Sequence, residues 1–254
     1  MLGASTSCLA DKSLGVALHK LTKVDGLDFV EIVNEGYHVL DEHNYRLHLE
    51  VLEYHGLRSV IHAPFSDVNI ASLNERIRRT SLEIIFETLK IAQNMGSLLV
   101  VLHPGHRSPL SGRFPKAYEK VHKRSLEEID KIAQRLDVKV GLENMPTFPI
   151  LDGQTVERMS EFLDGTDLYV TFDVGHLNTV NGEFNHFIDT LGDRVIHVHL
   201  HDNDGKSDSH LALGEGNIQW EKILKLLPRR ATWGLEMKRI EDLEKSLGFL
   251  STVK

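Results

Sequence analysis

Along the 254 residues, short apolar, β-branched runs alternate with longer stretches of helical period. The runs have strand length and composition, and they fall at residues 2–6, 29–33, 59–62, 98–103, 138–143, 169–173, 194–199 and 232–236. Between them the spacing predicts helices over 13–24, 41–55, 82–95, 116–136, 155–163, 184–191, 218–227 and 241–250. The stretch LEIIFETLKIAQNM, for example, puts Ile84, Ile85, Leu89 and Ile91 on one stripe, and Gly96 supplies a stop. Eightfold strand–helix alternation predicts a parallel sheet with right-handed crossovers. At this length the economical closure is a (β/α)8 TIM barrel, an α/β fold filling residues 1–254 as one domain. An open doubly wound sheet is the alternative, but no glycine-rich phosphate fingerprint follows the first strand.

A parallel barrel carries its active site at the C-terminal ends of its strands. Six consecutive strands end in His, Asp or Glu. Strand 3 ends SVIHAPF with His62, strand 4 LLVVLHPG with His103, and strand 5 VGLENMP with Glu143. Strand 6 ends VTFDVGH with Asp173 and His176, and strand 7 VIHVHLHDND with His199. The strand 7 loop continues to Asp208 and His210, and strand 8 ends WGLEMK with Glu236. Nine convergent imidazoles and carboxylates repel one another unless cations lie between them. Histidine plus carboxylate without thiolate suits Zn²⁺, with Mn²⁺, Fe²⁺ or another divalent ion as alternatives. Nine donors exceed what one ion takes, so two or three ions sharing a carboxylate are expected.

Composition narrows the chemistry further. Fifteen histidines stand against a single cysteine, Cys8, which excludes an intramolecular disulfide framework. Net charge is −8 with histidine neutral. A protein that coats nucleic acid would be basic. The four site carboxylates supply half of that charge, however, so bound divalent ions would leave the working protein less anionic. The N-terminal stretch lacks a basic start followed by an apolar run, and no stretch approaches membrane-span length, so a cytoplasmic location is expected.

The motifs IHAPF, HPGH, LENMP, FDVGH, HLHDND and DSHLALGEGN, in this order and spacing, resemble the xylose isomerase-like TIM barrels. That superfamily joins endonuclease IV (AP endonuclease family 2) with sugar and sugar-phosphate isomerases and epimerases. The resemblance implies up to three metal ions. The first would use His62, His103 and Glu143. The second would share Glu143 and add Asp173, His199 and Glu236. The third would use His176, Asp208 and His210. The sugar epimerases need only the second set, with Glu143 and Glu236 as an acid–base pair. The chain departs from the nuclease pattern at Glu143-Asn144-Met145-Pro146, at Asp173-Val174-Gly175-His176 and at Ser209, where the nuclease has arginine. Glu31, within strand 2, is closer to the isomerase side.

Two activities follow as expectations. The first is phosphodiester hydrolysis in the manner of endonuclease IV, on DNA with abasic sites. There Glu143 bridges two ions that activate water, Glu236 orients the nucleophile, and His176 stabilises phosphate charge. Phe65, Arg107, Arg113 and Lys206 are the candidate substrate contacts. The alternative is isomerisation or epimerisation of a small sugar or sugar phosphate, with Glu143 and Glu236 moving the proton. The extra donors tip the sequence reading toward hydrolysis. His197, His201, His106, Asn144, Asp202 and, more weakly, Asn178 are candidates for support of the site. His19, His38, His43, His48, His55, His122 and His186 fall on helices or outer loops. Oligomeric state leaves no mark in the sequence.

Overall fold

The computed structural model describes residues 1–253. Eight parallel strands close in sequence order into a barrel: β1 (Leu2–Ser5), β2 (Phe29–Val33), β3 (Arg58–His62), β4 (Val100–Leu102), β5 (Val140–Glu143), β6 (Tyr169–Asp173), β7 (Val195–Leu200) and β8 (Thr232–Leu235). β8 pairs back onto β1, with Ala4 opposite Leu235, so no strand edge is left open. The surrounding helices include α1 (Leu14–Leu21), α2 (Tyr45–Tyr54), α3 (Glu75–Met95), α4 (Pro109–Arg113), α5 (Pro115–Leu136), α6 (Val156–Leu163), α7 (Val174–Thr179), α8 (Phe184–Leu191), α9 (Trp220–Leu226) and α10 (Ile240–Val253).

Each strand has one inward and one outward face because its side chains alternate with period two. Residues such as Val30, Ile61, Leu102, Leu142 and Phe172 point outward and form the main core with the helices. Phe29, Val60, Leu99 and Val101 form a separate small cluster, the plug at the N-terminal end of the barrel interior. Two residues further along these same strands stand Glu31, His62 and His103. The interior thus changes from apolar to ionisable toward the C-terminal end. Register completes the alignment, with Asp173 paired to His199 and His199 to Gly234.

Three elements differ from the sequence pattern, each for a local reason. α3 begins at Glu75 rather than at 82. Its first two turns carry no apolar stripe but are held by the Asn74 cap and by Glu75 contacts to Arg78 and Arg79. α4 rests on a capping box between Ser108 and Ser111. α7 begins directly after β6, because the Asp173 carboxylate accepts from the His176 amide at 2.6 Å and caps it. Among the described residues, no helix is long and apolar enough to cross a membrane.

Candidate metal centre

The polar end of the barrel brings the nine strand-end residues together in three donor groups. One is His62, His103 and Glu143; another is Glu143, Asp173, His199 and Glu236; a third is His176, His201, Asp208 and His210. Within each group the donor atoms all lie within 4.8 Å of one another. Glu143 belongs to two of them. Its Oε2 lies 3.3 Å from His62 Nε2 and 3.1 Å from His103 Nε2. Its Oε1 lies 2.9 Å from His199 Nδ1 and 3.5 Å from His176 Nδ1. Glu236 Oε2 and Asp173 Oδ2 approach the same His199 nitrogen at 3.3 and 3.5 Å.

The loop after β7 delivers the third group. Asp202 and Leu211 pair as an antiparallel bridge that folds the loop back over the barrel. Asp202 pins it further by accepting from the Gly214 amide and from Trp220 Nε1. His210 takes a left-handed backbone, φ +51°, uncommon for a residue with a side chain. That turn lets its Nε2 reach Asp208 Oδ2 at 3.0 Å. His201 stacks on His210 with centroids 3.9 Å apart, and its Nε2 lies 3.1 Å from Asp173 Oδ1. Gly175 makes this possible, because a Cβ there would overlap the His201 ring. Gly175→Ala is expected to cost about 1–3 kcal/mol through overpacking. Urea titration measures it, and an unchanged midpoint would contradict the packing.

Charge compensation inside this end is severe. Burial alone would push the Glu143 carboxyl up, but the charge of His199 and the hydrogen bond from His103 hold it well below the carboxylate range. Asp173 and Asp208 are likewise depressed, against burial, by their histidine neighbours. Burial opposes protonation of His176 and His199, yet the facing carboxylates raise both well above the usual imidazole value. His210 is raised to about 9 by Asp208 and Glu236 in spite of burial. Without a metal, protons on histidine must offset the carboxylates. The buried Asp208 Oδ1 still has no hydrogen-bond partner. An all-nitrogen-and-oxygen donor set of this kind fits divalent cations, and the residues present suit such ions.

A cavity of about 330 Å³ opens above the centre. His103, His176 and Asp208 face it, and its walls include Phe65, Met145 and Phe148. Phe65 stacks on His103 with centroids 4.5 Å apart. No lysine or arginine lines the cavity among the described residues. Arg107 is held elsewhere, its Nε 3.1 Å from Asp152 Oδ2 and its guanidinium over the Tyr118 ring. Arg113 and Lys206 are exposed and do not line the cavity. Asn144 clasps β6, accepting from the Asp173 amide and donating to its carbonyl. Asn178 ties the loops through Asn203 and Asn217 rather than reaching the donors. His106 lines the cavity.

Two residues of the centre carried weaker sequence signals. Glu31 stands on β2 with both oxygens near His199 Nε2. His201 joins the third donor group. A period-two reading places Glu31 of β2 inward, and continues the inward series His197, His199 to His201 just beyond β7.

Residues 20–253 match the family model described as the xylose isomerase-like TIM barrel. The chain belongs to this family. A solved structure described as a D-tagatose 3-epimerase-like protein superposes with a TM-score of 0.93 at 36% identity, covering 99% of this chain and 96% of that one. The Methanocaldococcus jannaschii protein MJ1311 is 37% identical over 252 residues, 96% of this chain and 86% of its own length. A probable endonuclease 4 of Mycobacterium leprae is 26% identical over 212 residues, 80% of this chain and 81% of its own. The family's structural neighbours thus lean toward epimerases, and the likeness to an endonuclease is more distant.

Proposed function

We propose that the protein is a divalent-metal-dependent isomerase or epimerase of a small polyhydroxy carbonyl compound. This reverses the preference drawn from donor count alone. The observation that carries it is the cavity: small-molecule sized, walled largely by aromatic and aliphatic groups, lined by no lysine or arginine among the described residues, and bordered by His103, His176 and Asp208 of the donor groups. A polyanion would want free basic contacts there, and Arg107 is neutralised by Asp152. The similarity to the D-tagatose 3-epimerase-like protein supports the same reading.

In this reading a bound ion supplies Lewis-acid polarisation of an adjacent carbonyl and hydroxyl. Glu143 and Glu236 stand on β5 and at the end of β8, three places apart around the ring. One carboxylate removes the proton from the carbon beside the carbonyl, and the other returns a proton to the opposite face. Glu236, less buried than Glu143, is open to exchange its proton with solvent. Phe65 and Phe148 exclude water and pack on the apolar face of the substrate.

The test is incubation of the metal-loaded protein with a panel of ketoses and aldoses in deuterated water. Solvent deuterium at the reacting carbon and formation of an epimer or isomer are expected, and Glu236→Gln should abolish both. Incision of abasic-site duplex without turnover of any sugar would overturn the proposal. That hydrolytic reading has its own support, since three donor groups meet around Glu143 and Asp173. It requires near three ions per chain, lost together in His210→Ala.

A further inference from the structure

Four of the centre's histidines are held in two different ways. His62, His176 and His210 each hold Nδ1 within 2.9 Å of a backbone carbonyl, that of Ala63, Asn144 and Glu236 respectively. A carbonyl only accepts, so Nδ1 carries the proton and Nε2 is left for the centre. His199 is turned round. Its Nδ1 faces Glu143, Glu236 and Asp173, while its Nε2 lies 3.0 and 3.1 Å from the two oxygens of Glu31.

Glu31 is fully buried on β2, beneath the centre and away from the cavity. Its Oε2 also takes His197 Nε2 at 2.9 Å. His197 Nδ1 in turn lies 2.6 Å from Thr232 Oγ1. Gly234 leaves the space for this, since a Cβ there would stand 3.2 Å from Glu31 Oε2 and 3.1 Å from His197 Nε2. A carboxylate in a barrel interior is tolerated only when donors surround it. Two imidazole N–H groups meet that need here.

We propose that Glu31 is the positioning carboxylate of the metal centre, fixing His199 as the Nε2–H tautomer so that its Nδ1 lone pair faces the ion. His197, itself held by Thr232, is the second donor that keeps this carboxylate in place. His62, His176 and His210 are fixed by neutral carbonyls. An anion does more, because it also raises the basicity of the ligand it holds. Glu31 acts through His199 and touches no substrate, so the assignment is independent of whether the centre serves a sugar or a phosphodiester.

Zinc affinity, measured by competition with a chromophoric chelator, tests it. Glu31→Gln keeps the size and removes the charge, and a roughly 10- to 100-fold weaker affinity at unchanged ion stoichiometry is expected. Glu31→Asp should recover part of the loss. Nitrogen-15 spectra of the imidazoles in the unmodified zinc-loaded protein should show His199 protonated at Nε2, a measurement that stands even if the variants fail to fold. Unchanged affinity in Glu31→Gln, or a His199 protonated at Nδ1, overturns the proposal. So does the loss of one whole ion in Glu31→Gln, which would mean that Glu31, His197 and His199 hold an ion of their own.

Discussion

Glu143→Gln is expected to leave a folded barrel in which neither of the two donor groups built on Glu143 retains an ion. The carboxylate is buried, and its two oxygens serve opposite sides, Oε2 toward His62 and His103, Oε1 toward His199 and His176. Glutamine fills the same space but removes the charge, and it turns one acceptor into an N–H₂ donor aimed at imidazole nitrogens. Histidines now raised or held by that charge lose their partner. Because the two groups share this residue, the effect exceeds that of removing any single histidine. Metal content after dialysis near neutral pH reads the loss without any substrate. Turnover of whichever substrate the panel identifies should fall by roughly 10²–10⁴-fold, the range for loss of an acid–base group. Retention of the full metal complement with unimpaired turnover would remove Glu143 from both roles.

Much of this architecture is visible in the chain because a parallel barrel writes itself twice. Each strand is an apolar run on its outer face, and its last inward residue is the one that reaches the mouth. Phe29 and Val60, with Glu31 and His62 two residues later, show both in one alternation. The strand limits at β2 and β6 agree with the run of apolar residues, and the terminal His62, His103, Glu143, Asp173 and Glu236 gather as their positions imply. Less legible are features that depend on distant partners. The Asp173 cap that starts α7 is invisible to periodicity because the helix is only six residues long. The capture of Arg107 by Asp152 joins residues 45 apart, and it removes a cation that the sequence offered to substrate. Glu31 stands out in the sequence only as an isomerase-like residue of strand 2, and its pairing with His199, 168 positions away, is not legible there. The size and lining of the cavity, on which the proposed preference for a small substrate rests, come from the segments that follow β3, β4, β5, β6 and β7, and no single motif carries them.

The metal-free protein should lose stability as pH rises, whereas the stability added by zinc should grow. His176, His199 and His62 bind their protons more tightly in the fold than in the unfolded chain, and His210 is raised from 6.5 to about 9. Stability linked to a raised pKa is complete below the unfolded value and is lost as pH climbs through the folded one. For His210 alone the difference amounts to about 3 kcal/mol, lost between about pH 6.5 and 9. The depressed carboxylates Glu143, Asp173 and Asp208 act in the opposite direction, their contribution present above about pH 4 and lost in acid. The chelator-treated protein should therefore melt highest between these limits and progressively lower toward pH 9. Zinc competes with protons for the same imidazole nitrogens, so its binding strengthens as they deprotonate. Thermal denaturation across this range, with chelator and with buffered zinc, should show two melting curves that diverge with rising pH. Curves that stay parallel, or converge, would show that the protonated histidines and the metal-binding histidines are different residues.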